Sequence, residues 1–131
     1  MTYYEELAKL VLRIAVGLLV LLHGIAKILN PDSLGFIGGN LSEFGIPTEI
    51  AYAVYLGEVL GPLMIIFGYF ARAGALLVIG NMVVAILLAH TDEFFQLTNN
   101  GGWALELQGL YLLAALAIAL QGSGKYAIRP D

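Results

Sequence analysis

The sequence predicts an all-α integral membrane protein, a four-helix bundle with up-down topology, and two properties of the chain carry that prediction. Of its 131 residues, 60% are hydrophobic and 12% are charged, whereas about 25% of the residues in a typical soluble domain are charged. Four apolar stretches also approach the roughly 20 residues that cross a bilayer as a helix. They cover residues 6–29, 48–70, 72–90 and 103–121. No internal repeat interrupts the chain, so we expect residues 1–131 to form a single transmembrane domain.

Each stretch has its own sequence signals. The first is interpreted as a mature helix rather than a cleaved signal peptide, because its leading residues include acids and no small-residue cleavage site follows. In the second, Gly57 and Gly61 have the GxxxG spacing that lets membrane helices approach closely. A tight turn at 69–73 leads into the third, and the fourth begins at Trp103, a residue type enriched at membrane interfaces. Residues 30–47, rich in glycine and proline, are expected to form a long loop that serves as a lid or lies on the surface.

The distribution of charge predicts the orientation. Four spans put both termini on one side, together with the turn at 69–73. That side carries the basic residues Lys9, Arg13, Arg72, Lys125 and Arg129. The loops on the other side are acidic. Because Lys and Arg are enriched in cytoplasmic loops, we expect both termini in the cytoplasm and a multi-pass protein of the plasma (inner) membrane.

Composition also excludes several functions. The chain has no cysteine, which excludes thiolate metal ligands and other cysteine-based cofactor sites within it. Its net charge is −4 and it has no basic tract, which argues against nucleic acid as a partner.

The polar residues of the first span share one face. A stripe of residues recurs there at intervals of four and three, as on one side of a helix. It consists of Arg13, Gly17, Val20, Gly24 and Lys27. His23 lies beside the stripe, one turn before Lys27. Since small residues mark close helix packing in membranes, we expect this face to point into the bundle.

The other three spans contribute further polar side chains. They are Glu58, Asn81, His90 and Glu106. In the second span, Pro62 cannot donate a hydrogen bond to the carbonyl of Glu58, four residues earlier. Glu58 is therefore expected to offer a carboxyl group and a free backbone oxygen at the same depth.

The depths of these residues predict where they meet. Counting about 1.5 Å per residue from the cytoplasmic edge places Arg13 about 9 Å deep, Glu58 about 18 Å and Lys27 about 30 Å. We expect a polar pocket in the outer half of the bundle. Its members are His23, Lys27, Glu58, His90 and Glu106. Arg13 would lie below them and reach up towards Glu58.

A structural interpretation stands beside the pocket. Charges within a membrane are costly and tend to pair, so Arg13–Glu58 and Lys27–Glu106 could be ion pairs that only fix helix register. The protein would then be a non-catalytic membrane subunit or scaffold.

The residue types suggest what a pocket could bind. Hydrogen-bond donors and proton carriers in apolar surroundings suit a quinone-type ligand, whose carbonyls need donors and whose reduction needs protons. Alternatively, His23 and His90 could hold a haem axially or contribute to a metal site. We consider haem the weaker interpretation, because a bis-His haem would leave the acids unexplained.

In its ordered set of short motifs the chain resembles the DoxX-like membrane proteins. The matching features are His23-Gly24-x-x-Lys27, Gly-Ile-Pro at 45–47, Glu58, Gly68 with Arg72, Asn81-Met82-Val83-Val84-Ala85 and Gly122-Ser123-Gly124-Lys125-Tyr126. The ending Arg129-Pro130-Asp131 departs from the Ser-Ile/Leu-Asp ending of the family. The resemblance implies a four-helix membrane bundle that works as a subunit of a quinone-linked oxidoreductase.

The site roles follow from both lines of argument. Glu58 and Glu106 are the candidate catalytic proton carriers, and Lys27 and His23 the donors to a ligand. The remaining candidate ligand-binding residues are His90, Arg13, as an electrostatic anchor for Glu58, and Asn81. The expected partners are the lipid bilayer, a lipid-soluble small molecule, a redox subunit and, in a homo-oligomer, further copies of the chain.

Overall fold

The first helix, α1, comprises Tyr3–Leu29 in the computed structural model, which describes residues 2–30, 32–45, 47, 52–89 and 95–131. Thr2 caps it, since its hydroxyl accepts a hydrogen bond from the Glu5 amide at 3.2 Å and so satisfies one of the free donors of the first turn. Within the described ranges, α1 is the one helix whose length and apolar composition suffice to cross a membrane.

The segment expected to be a long loop is helical instead. Helix α2 comprises Asp32–Glu43. The glycines of this segment lower its helix propensity, but Leu34, Ile37 and Leu41 recur at the spacing of one helix face. The expectation of an irregular loop was therefore wrong for these residues.

The second apolar stretch is helical but irregular. A π-helical turn at Leu56–Leu60 precedes α3, which comprises Gly61–Phe67. The amide of Gly61 bonds to the carbonyl of Leu56, five residues back, and Pro62 follows with no amide hydrogen to donate. Helix α3 ends at Gly68, whose φ of 66° is left-handed and suits glycine.

Two further helices follow in the part of the chain that the structure describes. Helix α4 comprises Ala71–Ala89 and α5 comprises Glu106–Gln121. Helix α4 packs against α3 and α5, while α1 packs against the π-helical turn, α3 and α5. Between them lies a core that is formed mostly by small and branched side chains, together with one methionine and one tyrosine: Val16, Val20, Ile65, Ala75, Val78, Met82, Tyr111, Ala115 and Ile118. The described residues contain helices and no strand, only two isolated bridges, which confirms the all-α class.

Candidate functional site

A cluster of three polar side chains joins α1, the π-helical turn and α4. Lys27 Nζ lies 2.5 Å from Glu58 Oε2, and Asn81 Nδ2 donates a hydrogen bond of 3.1 Å to Glu58 Oε1. The Glu58 side chain is 8% exposed and that of Lys27 is 21% exposed. Both carboxylate oxygens of Glu58 therefore have a donor, and one is charge-assisted.

Two glycines make the cluster possible. A methyl group added at Gly24 would lie 2.1 Å from the carbonyl oxygen of Glu58, and one added at Gly57 would lie 2.2 Å from Asn81 Cβ. No side chain fits in either place, so glycine lets α1 and α4 approach the π-helical turn closely. The Glu58 carbonyl, which was expected to be free because of Pro62, faces Gly24 across this close contact.

The π-helical turn is the local feature that carries Glu58. A π turn places one extra residue in a helical turn, which changes the direction of the side chains that follow it. Glu58 is the central residue of Leu56–Leu60. Such single turns within longer helices occur frequently at functional sites.

His23 lies one turn before Lys27 and contacts α5. Its Nδ1 is 3.0 Å from the carbonyl oxygen of Leu19. Its ring meets that of Tyr111 edge to face, with centroids 5.7 Å apart and planes at 83°. His23 is exposed, whereas Tyr111 is buried. Tyr111 was not among the site residues predicted from the sequence, although it is the one residue of α5 that bears a hydroxyl group.

Arg13 does not pair with Glu58, so that expectation was wrong. Arg13 is 1% exposed, and its guanidinium donates to four backbone carbonyls. The Arg13 acceptors are Ile65 at 2.9 Å, Ile66 at 3.0 Å, Ser123 at 3.0 Å and Tyr126 at 2.6 Å. The first two carbonyls belong to the last turn of α3, and the other two follow α5. Arg13 thus ties the ends of two helices to α1, as a cation near helix C-termini does favourably.

The direction of helical side chains explains why Lys27, and not Arg13, pairs with Glu58. Helical side chains tilt towards the N-terminus of their own helix. On α1 this tilt brings the long Lys27 side chain back towards Glu58 and carries Arg13 away from it. The depths estimated from the sequence count only the rise of the backbone, so they leave out this tilt of the side chains.

Glu106 does not pair with Lys27. It is exposed in the first turn of α5, and its carboxylate lies so close to Gly102 that an added methyl group there would be 2.7 Å from Oε2. Lys27 is paired with Glu58, so the Lys27–Glu106 pair considered from the sequence was wrong.

The haem alternative depended on His23 and His90. His90 lies outside the described residues. Among the residues that the structure does describe, no group of three or more His, Asp or Glu side chains is arranged to hold a metal ion.

Similarity to known proteins assigns the chain to a family. A protein of Haemophilus influenzae with the name "Uncharacterized protein" is 32% identical over 121 residues, covering 89% of this chain and 84% of its own length. The Bacillus subtilis protein named "Putative oxidoreductase CatD" is 28% identical over 126 residues, covering 95% of this chain and 87% of its own. No solved structure matches the chain significantly. The family model described as DoxX matches residues 8–91, a range that contains Arg13, His23, Lys27, Glu58 and Asn81. The resemblance seen in the short motifs is thereby confirmed, and the chain belongs to the DoxX family.

Proposed function

We propose that this protein is a multi-pass membrane protein that binds a lipid-soluble quinone-type ligand beside the Lys27–Glu58–Asn81 cluster and works with a redox partner. The observation that carries the proposal is the buried carboxylate of Glu58, which is held by Lys27 and Asn81, with the exposed His23 one helical turn before Lys27 on α1.

The membrane placement is supported by the surface of the helices. Leu18 and Leu22 on α1 are 50% and 55% exposed, and Leu113 on α5 is 63% exposed. Soluble proteins rarely expose large contiguous apolar patches. In the proposed arrangement all four apolar stretches cross the plasma membrane as an up-down bundle, with both termini in the cytoplasm.

The chemistry of the cluster supports a role in proton handling. A carboxylate in a membrane interior is costly, and such groups commonly mark proton relays or ligand sites. Glu58 would take up a proton as Lys27 moves away from it and release that proton as Lys27 returns, because a nearby cation favours the carboxylate. A ligand reaching His23 from the lipid would then lie within about one helical turn of this pair. Glu106, exposed at the start of α5, would exchange protons with the outer side.

The source of electrons lies outside this chain in our proposal. The sequence contains no flavin, nicotinamide or iron–sulfur motif. A relative carries the name oxidoreductase, which supports a redox setting. We therefore assign electron delivery to a partner subunit or to the ligand itself.

A second function is favoured by one specific observation. Both oxygens of Glu58 are satisfied by Lys27 and Asn81, as they would be in an ion pair that only fixes the packing of three helices. The protein would then be a non-catalytic membrane scaffold.

Copurification separates these two functions. The protein would be purified from its native membrane in mild detergent, and lipid extracts analysed by mass spectrometry beside an unrelated membrane protein purified in parallel. We expect a quinone at near-stoichiometric amounts. A quinone content no higher than in the control would contradict the proposed function and favour the scaffold.

A further inference from the structure

We propose that His23 accepts a hydrogen bond through Nε2 from the hydroxyl group of its ligand, so that the site prefers a hydroquinone to the corresponding quinone. This inference rests on the proposed function, because it specifies which redox form of the ligand is bound. It also revises the role expected for His23 from the sequence, where it was a donor.

The hydrogen bond between His23 and Leu19 shows which nitrogen of the imidazole carries the hydrogen. The Leu19 carbonyl oxygen, 3.0 Å from His23 Nδ1, can only accept a hydrogen bond. Nδ1 must therefore carry the hydrogen and donate it. In a neutral imidazole the other nitrogen then has no hydrogen and is an acceptor. In the neutral imidazole of His23, Nε2 is thus a hydrogen-bond acceptor.

Two contacts fix the orientation of the His23 ring. The hydrogen bond to Leu19 holds one edge of the imidazole against α1, and the ring of Tyr111 on α5 meets it at 83°. Tyr111 is 7% exposed and belongs to the core, so it gives the imidazole a fixed neighbour. Tyr111 is a positioning residue in this account. Together the two contacts fix the direction in which Nε2 presents its lone pair.

A ligand in the lipid can reach the His23 ring in the proposed arrangement. His23 is exposed, and its neighbours Leu19 and Leu22 are 47% and 55% exposed, so the ring lies on an apolar surface that faces lipid in the proposed arrangement. A hydroxyl group in hydrocarbon lacks water as a partner and gains strongly from an acceptor. A quinone carbonyl would instead meet Nε2 acceptor to acceptor. The next donor along α1, one turn from His23, is Lys27 Nζ, which already gives one of its three hydrogens to Glu58.

The inference is tested by comparing the two redox forms of one short-chain benzoquinone. Binding to the full-length protein in detergent would be measured anaerobically by calorimetry for the wild type and for His23→Phe. Phenylalanine keeps the ring contact with Tyr111 but removes both nitrogens. Ile25→Phe, at an exposed position of α1, is the matched control for a new aromatic ring on that helix.

We expect the wild type to bind the hydroquinone about tenfold more tightly than the quinone. The hydroquinone gains one hydrogen bond to Nε2, whereas the quinone carbonyl and Nε2 are both acceptors. The preference should vanish in His23→Phe and persist in Ile25→Phe. Equal or tighter binding of the quinone, or a preference unchanged in His23→Phe, would overturn this inference and leave the proposed function standing. Binding of neither form by the wild type would overturn both.

Discussion

Glu58 is the residue on which three helical segments depend. Its carboxylate accepts from Lys27 of α1 and from Asn81 of α4, while its backbone carbonyl faces Gly24. Removing one partner of a buried ion pair leaves the other charge without compensation, whereas replacing both with uncharged groups is often neutral. This asymmetry identifies the true partner of Glu58.

We predict that Glu58→Gln lowers the free energy of unfolding by about 3 kcal/mol, because Lys27 loses its counter-charge in a partly buried site. Adding Lys27→Met should restore stability to within about 1 kcal/mol of the wild type, since no unpaired charge remains. The measurement is thermal unfolding in detergent for each variant.

Arg13→Leu is the matched control for that rescue. In the Glu58→Gln background it should lower stability further, because four backbone carbonyls lose their donor. If Arg13→Leu, and not Lys27→Met, recovered the stability lost in Glu58→Gln, the Arg13–Glu58 pair predicted from the sequence would be correct.

The sequence predicted the members of this cluster better than their contacts. Lys27, Glu58 and Asn81 were recognisable because ionisable and amide groups are rare in apolar spans, and Gly24 and Gly57 because small residues mark close packing. The pairing was not recognisable, since the tilt and length of a side chain shift its charged end by several ångströms. Tyr111 gave little signal, because a single aromatic residue in an apolar helix is usual in a core.

At the scale of elements, close approach between helices depends on single glycines. We predict that Gly24→Ala destabilises the protein by about 2 kcal/mol, within the range for overpacked sites, because the new methyl group would overlap the Glu58 carbonyl. Gly80→Ala is the control: it lies in α4 with nothing within 4 Å of an added methyl group. That change should be neutral or slightly stabilising. Chemical denaturation in detergent compares the two, and equal effects would show that the contact between α1 and the π-helical turn is loose.

The segment 122–131 is held to the helices by backbone hydrogen bonds. The Lys125 amide donates to Glu6 Oε2 at 2.6 Å, and the amides of Ile128 and Arg129 donate to Phe67 and Gly68 at 3.0 Å. Arg13 adds two bonds to the same segment, through the carbonyls of Ser123 and Tyr126.

We predict that Arg13→Lys speeds trypsin cleavage after Lys125 by about tenfold or more, because hydrogen bonds from a charged group each contribute about 1.5–3 kcal/mol and an ammonium cannot reproduce the guanidinium fork. Digestion time courses followed by mass spectrometry measure the rate. Arg129→Ala, which removes only an exposed contact with Phe70, should change that rate little. A rate unaffected by Arg13→Lys would mean that the segment is held without Arg13.

Sequence patterns predicted the helical elements unevenly for physical reasons. The apolar stretches 6–29, 72–90 and 103–121 correspond to α1, α4 and α5, which begin at Tyr3, Ala71 and Glu106, because long apolar runs favour helices. Helix α2 was missed since its glycines resemble a loop, and the π-helical turn was missed since no local pattern distinguishes it from an α turn.

For the whole molecule, the proposed topology puts both termini and residues 69–73 in the cytoplasm. The chain has no cysteine, so single cysteines can report it. We predict that Ser42→Cys reacts with an impermeant maleimide in intact cells, while Ile128→Cys, 70% exposed, reacts only after the membrane is opened. Labelling of Ile128→Cys in intact cells would contradict the proposed orientation.

In our proposal the Lys27–Glu58 pair serves a ligand as well as the packing of the helices. Its most direct test is quinone and hydroquinone binding, by calorimetry in detergent, to the Lys27→Met/Glu58→Gln double variant at a temperature where it is as folded as the wild type. We expect a stable double variant that binds both redox forms at least tenfold more weakly than the wild type does. A double variant that is stable and binds either form as tightly as the wild type would show that the pair is structural alone.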